Sequence, residues 1–87
     1  MWEVVYSERA VKELRKLDKH TAKLIMAWIE KNLIGCTDPR AHGKGLTARS
    51  GQWRYRIGDY RLLAEIQDDK LVILALSVGH RRDVYEN

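Results

Sequence analysis

Apolar positions change their period along this chain, and the changes divide it into elements. Trp2-Glu3-Val4-Val5-Tyr6 is short, aromatic and β-branched, which predicts a strand. Ser7 then offers an N-cap oxygen, and Glu8 puts negative charge in the first helical turn. Ala10, Val11, Leu14 and Leu17 follow as one helical stripe. Asp18 is a second N-cap, opening a longer helix with Ala22, Ile25, Met26, Ile29 and Leu33 on one face, widened by Leu24 and Trp28. Gly35 stands where a helix-ending residue belongs, and Pro39 prevents resumption. Cys36–Gly51, with breakers at Pro39, Gly43, Gly45 and Gly51, reads as a long connection, either functional or a plain connector.

From Gln52 the period becomes two. Trp53, Tyr55 and Ile57 fall on one face, and Arg54 and Arg56 on the other. Gly58-Asp59 predicts a two-residue turn. Tyr60–Ile66 returns with Tyr60, Leu62, Ala64 and Ile66 on the face of Ile57, and Gln67-Asp68-Asp69-Lys70 turns the chain again. Leu71–Val78 is apolar on both faces, as in a central strand, and Gly79 is expected to break it before a closing helical turn over His80–Tyr85. The order is β-α-α-β-β-β, an α+β domain in which a helical hairpin covers one face of a small, mainly antiparallel sheet. Trp53, Tyr55 and Tyr60 point to the helices and read as core, while Trp28 reads as core or as a helix–partner contact.

Eighty-seven residues make a single domain, 1–87, near the lower size limit for independent stability. The charged fraction of 32% and apolar fraction of 45% exclude a disordered chain. The longest apolar runs, Leu24–Ile29 and Leu71–Leu76, are too short to span a membrane. The start has no basic stretch followed by an apolar one, so no secretory leader is expected. One cysteine, Cys36, precludes an internal disulfide and favours a reducing, cytoplasmic compartment. Three scattered histidines give no metal-ligand spacing, and no phosphate-binding glycine loop follows a strand, so no cofactor is expected.

The net charge of +4 permits a nucleic-acid partner without demanding one. The kind of base says more. Residues 1–48 carry six Lys and three Arg, and residues 49–87 carry six Arg and one Lys. Arginine's rigid fork suits phosphate. A two-residue turn at Gly58-Asp59 pairs Arg56 with Arg61 and places Arg54 on the same face. Like charges directly opposite destabilise a sheet, so folding alone gives no reason for them, whereas an anion bound between them does. A solvated face whose Arg stems cover Leu63, Val72, Leu74 and Leu76 is the competing reading. The final strand returns beside Arg61 and brings Arg81 to the cluster, with Tyr85 at its edge. Arginines with an aromatic suit a single RNA strand.

Trp53-Arg54-Tyr55-Arg56-Ile57-Gly58-Asp59-Tyr60-Arg61-Leu62, with Ser77-Val78-Gly79-His80-Arg81-Arg82-Asp83-Val84-Tyr85, resembles the RelE branch of the RelE/ParE toxin superfamily. The resemblance implies a RelE-like microbial ribonuclease-type fold. It also implies a toxin of a bacterial type II system that cleaves messenger RNA in the ribosomal A site and is held inactive by a cognate antitoxin. On this resemblance the transition-state arginines are Arg61 and Arg81, the basic strand positions Arg54 and Arg56, and the terminal tyrosine Tyr85. The family's best-known members often have Lys at the positions of Arg54 and Arg56, and can also carry Lys in place of His80.

Metal-free RNA cleavage uses the 2′-hydroxyl as nucleophile, and needs a base, an acid and cations for the extra phosphate charge. Arginine stays protonated and supplies only the last. Tyr85 and His80 are the nearby titratable groups; Arg82 adds phosphate-binding charge, and His42 and His20 are weaker candidates. Two rival readings stand: a ParE-like inhibitor of DNA gyrase with the same fold, and a non-catalytic RNA-binding module.

Overall fold

The structure, a computed structural model, describes residues 1–46 and 51–82. Its elements are β1 (Glu3–Tyr6), α1 (Glu8–Lys16), α2 (Lys19–Asn32), β2 (Lys44–Gly45), β3 (Gln52–Ile57), β4 (Tyr60–Gln67) and β5 (Val72–His80). The strands form one mixed sheet in the order β1-β5-β4-β3-β2, with β1 parallel to β5 and the other pairs antiparallel. The α+β architecture expected from the pattern is the one observed.

Both helices begin as their caps dictate. The Ser7 hydroxyl accepts the Ala10 N–H at 3.0 Å and donates to the Leu76 carbonyl at 2.9 Å, so one side chain caps α1 and ties it to β5. The Asp18 carboxylate accepts from the Thr21 N–H at 3.1 Å and hydroxyl at 2.6 Å. Each cap is worth about 1 kcal/mol. Asp18 is held below the usual carboxylate range by these bonds, side chain first. Past α2, Gly35 takes the left-handed φ of 73° and its N–H donates to the Trp2 carbonyl, fastening the helix end to the start of the sheet.

The core lies between the helices and one sheet face, where Ala10, Ile25, Ile29, Leu33, Tyr55, Leu62, Ala64, Ile73 and Ala75 are buried. The apolar face of α2 is narrower than the periodicity suggests. Leu24 and Met26 are exposed, because the row Ile25, Ile29, Leu33 is the one fully buried against the sheet. Trp53 and Tyr60 pack against this core, and Trp28 contacts Tyr55 and His42 at ring separations of 5.7 and 5.8 Å.

Three details depart from the expectations. Gly79 does not end the last strand: β5 continues through it to His80, with Gly79 opposite Arg61. The connection Cys36–Gly51 contains the two-residue strand β2, which pairs with β3. Finally, β5 carries a bulge: Ala64 faces Ala75 and Leu63 faces Ser77, so Leu76 has no cross-strand partner. The position opposite Leu63 therefore belongs to Ser77. The closing turn expected over His80–Tyr85 lies largely outside the described residues.

Beyond Tyr6 the first strand leaves the sheet, and β5 runs on with no neighbouring strand on that side among the described residues. Glu13 of α1 closes this edge. Its carboxylate accepts the Val78 N–H at 2.8 Å and the Ser77 hydroxyl at 2.9 Å. A strand edge that would otherwise present a bare donor is thereby satisfied within the chain.

Candidate active site on the open sheet face

The β3–β4 hairpin has the register that a two-residue turn imposes: Ile57 faces Tyr60, Arg56 faces Arg61, and Arg54 faces Leu63. Ile57 is buried against the core, so Arg54, Arg56 and Arg61 project from the other face, which neither α1 nor α2 covers. The bulge in β5 then decides what joins them. Without the bulge, with Leu76 paired as an ordinary strand residue, continued alternation would carry the row Val72, Leu74, Leu76 on to Val78 and His80. With it, Val78 is buried opposite Leu62, and His80 pairs with Tyr60 on the helix side. The next residue, Arg81, falls on the arginine side, and its N–H donates to the Asp59 carbonyl at 2.8 Å, which anchors it at the hairpin turn.

Arg61 is the centre of this group. One guanidinium nitrogen donates to the Tyr60 and Gly58 carbonyls at 3.0 and 3.2 Å, curling the side chain toward the turn. Its pKa is lowered, by burial first and then by the charges of Arg56, Arg54 and Arg81; Asp59 opposes the shift. The direction is that of a site with surplus positive potential, which an anion would relieve. A cleft of about 250 Å³ opens here, lined by Gly43, Lys44, Arg54, Arg56 and Arg61. A larger groove of about 400 Å³ lies on the helix side of the hairpin, lined chiefly by Leu24, Ile25, Trp28, Ile57 and Tyr60. It has no cationic lining residue, so the smaller cleft is the one equipped for phosphate.

The remaining expected residues are distributed as follows. His80 stands edge-on to Tyr60 at 5.6 Å, and its Nδ1 accepts the Arg82 N–H at 3.3 Å, which sets it on the side of the sheet away from the arginines. Arg82 is exposed in the turn after β5. Tyr85 lies outside the described residues. His42 is exposed and meets Trp28, and His20 is exposed on α2. Among the described residues no group of three His, Cys, Asp or Glu side chains is placed to hold a metal ion, and no helix is long and apolar enough to cross a membrane.

Lys44 is the lining residue that periodicity could not reveal. A two-residue strand has no period. The available signal was the Gly43-Lys44-Gly45 spacing, because both glycines are required by close approach. A Cβ on Gly43, at φ 78°, would come within 2.3 Å of the Arg54 carbonyl oxygen, and one on Gly45 within 3.0 Å of the Trp53 ring. Side-chain bonds hold the preceding loop in place. The Tyr55 hydroxyl donates to the Pro39 carbonyl at 2.6 Å, and the Trp53 indole N–H donates to the His42 carbonyl. Arg40 pairs with Asp68 through two 2.9 Å bonds and lies 5.9 Å from the Trp53 ring centroid.

A sequence profile for the ParE toxin of type II toxin–antitoxin systems, parDE, matches residues 4–85. The chain belongs to the RelE/ParE superfamily of type II toxins. Solved structures agree on the fold. The RelBE2 toxin–antitoxin complex of Mycobacterium tuberculosis contains a chain 29% identical to this one, with a TM-score of 0.80, over 92% of this chain and 98% of that one. In the RelBE complex of Escherichia coli the matching chain is 24% identical, with a TM-score of 0.74 and coverage of 92% and 96%. In the archaeal RelE–RelB complex of Pyrococcus horikoshii OT3 the values are 23% and 0.74, over 95% and 98%. No curated protein sequence matches the chain significantly. Membership in the superfamily identifies the chain as a toxin of a type II system, built on the fold of RelE toxins.

Proposed function

We propose that this toxin is an endoribonuclease that cleaves messenger RNA in the ribosomal A site, in the cytoplasm, and is restrained by a cognate antitoxin. One observation carries the reading: Arg54, Arg56, Arg61 and Arg81 converge on one open sheet face, and Arg54, Arg56 and Arg61 line a phosphate-sized cleft there. In the proposed reaction the 2′-oxygen attacks the adjacent phosphorus, the P–O5′ bond breaks, and a 2′,3′-cyclic phosphate and a 5′-hydroxyl result. The 2′-hydroxyl proton passes to a base and the 5′-oxygen receives one from an acid. The arginines hold the dianionic phosphorane without exchanging protons. Since no bound metal is required for these steps, positioning and charge carry most of the rate, which suits a substrate shaped by the ribosome. The antitoxin partner is supported by the assemblies of the matched structures, which are described as RelB–RelE complexes.

The test is cleavage of messenger RNA on programmed ribosomes, with a single 2′-deoxynucleotide at the scissile position as control. The expected result is a 2′,3′-cyclic phosphate product from the normal message and none from the deoxy message. Cleavage of the deoxy bond would overturn the mechanism. The profile match to ParE toxins favours a second reading, inhibition of DNA gyrase by binding. Loss of supercoiling activity in purified gyrase, with intact message on the ribosome, would establish that reading instead.

On the family resemblance we assign the base to Tyr85, since arginine charge beside a phenol favours its ionised form. If so, Tyr85→Phe and Tyr85→Ala are expected to be equally slow in single turnovers, with the pH dependence of the wild type flattened in both. Retention of most activity by Phe alone would instead assign Tyr85 to base stacking, worth about 1–3 kcal/mol.

A further inference from the structure

We propose that Lys44 is a substrate-binding residue of this cleft, contacting a phosphate next to the scissile one; the proposal rests on the ribonuclease reading. It starts from register. Lys44 faces Arg54 across the β2–β3 pair, and directly opposed residues share a face, so Lys44 enters the cleft from the sheet edge. The face thus holds two like-charged cross-strand pairs, Arg56 with Arg61 and Arg54 with Lys44. Each such pair disfavours the sheet.

The second pair is harder to explain by folding than the first, because β2 has only two residues with which to offset it. What holds β2 in place is built elsewhere. The side chains at 43 and 45 are absent so that the backbone can lie against Trp53, and the loop before it is fixed by Tyr55, Trp53 and the Arg40–Asp68 pair. The arrangement delivers a cation to the cleft at the expense of local stability.

Position suggests which phosphate it meets. Arg61 lies on β4 and Lys44 two strands away on β2 and two residues along, roughly 12 Å apart at ordinary strand geometry. Arg61 and Arg81 sit at the hairpin turn, while Lys44 and Arg54 lie at the opposite side of the cleft. A strand of RNA whose scissile phosphate is held at Arg61 would present its neighbouring phosphate toward Lys44. The chemistry differs as well: Lys is a flexible point charge suited to following a mobile backbone phosphate, and Arg is a rigid fork suited to a fixed one.

The test pairs protein and substrate changes. Lys44→Ala and Lys44→Arg are assayed on programmed ribosomes with messages in which either phosphate flanking the scissile one is replaced by an uncharged methylphosphonate. Lys44→Ala is expected to lower kcat/KM on the normal message by about tenfold, in line with loss of one charge-assisted contact. One of the two neutral messages is expected to slow the wild type by a similar factor and to have little further effect on Lys44→Ala. Lys44→Arg is expected to restore both rate and sensitivity. Gly43→Ala, which displaces β2 while leaving Lys44 unchanged, is expected to behave like Lys44→Ala. Equal slowing of wild type and Lys44→Ala by both neutral messages would overturn the proposal. Arg61→Ala separates it from the broader reading: if that variant cleaves as wild type does, the ribonuclease assignment fails, whereas an inactive Arg61→Ala beside an uncoupled Lys44→Ala removes only Lys44.

Discussion

Arg61→Ala and Arg81→Ala are each expected to lower the rate of message cleavage by about 10²–10³, the usual loss for one preorganised donor to a developing charge. Neither is expected to lower thermal stability. Arg61 is disfavoured in its charged form by burial and by Arg56, Arg54 and Arg81, so deleting it relieves repulsion. A variant that melts at or above the wild-type temperature yet has lost its activity is the signature of a site whose charges serve binding and not folding. Arg82→Ala is the control. It is exposed in the turn after β5 and is expected to cost less than either. Near wild-type cleavage by folded Arg61→Ala and Arg81→Ala would remove the proposed site.

The largest effect on stability is expected at Tyr55. It is fully buried, contacts Trp28, and donates its hydroxyl to the Pro39 carbonyl. Tyr55→Ala is expected to cost about 3–5 kcal/mol, as other large aromatic truncations do. That is a large share of the roughly 5–15 kcal/mol that holds a domain together. Tyr55→Phe keeps the ring and leaves the carbonyl unpaired, at about 1–3 kcal/mol. The two phenols also set an alkaline limit. Burial raises the pKa of Tyr55, with Cys36 and Asp38 adding and Arg40 opposing, and burial followed by Glu30 raises that of Tyr6. A phenol raised in the folded state contributes stability fully present below its unfolded value, near 10, and lost as the pH climbs past it. Urea unfolding at pH 8 and pH 11 is expected to show that loss in the wild type and a smaller one in Tyr55→Phe. An equal loss in both would show that Tyr55 does not ionise on unfolding.

Local chemistry was legible wherever one residue settles the matter. Ser7 and Asp18 announce their helices because their side chains satisfy donors within three residues. Gly58-Asp59 announces the hairpin, and the hairpin register follows from turn length alone, so the convergence of Arg54, Arg56 and Arg61 could be read directly. Other features depend on partners distant in sequence. The bulge at Leu76 leaves no trace in an uninterrupted apolar run, since its cause lies in pairing with β4 and in the Ser7 hydroxyl bond to the Leu76 carbonyl. The strand β2 exists because Trp53 offers a surface to lie against, which Lys44 and Gly45 do not disclose. Gly79 read as a stop, yet the ladder with β4 carries through it.

The bulge has a consequence for how such a toxin can change. Strand parity is a two-valued setting, and the bulge at 76 decides whether position 80 or position 81 falls on the arginine side. In the present setting the Arg81 guanidinium stands near enough to act on Arg61, and the His80 imidazole is turned toward Tyr60. Deleting Leu76 would remove the bulge and leave every remaining pair of the β4–β5 ladder in place, with Arg81 still on the arginine side, whereas one residue added to the ladder beyond Val78 would exchange the two. A single codon gained within the last strand, away from the residues that line the cleft, is thus enough to change which side chain the sheet presents beside the arginines, and lineages on this fold can exchange a side chain there without substituting it.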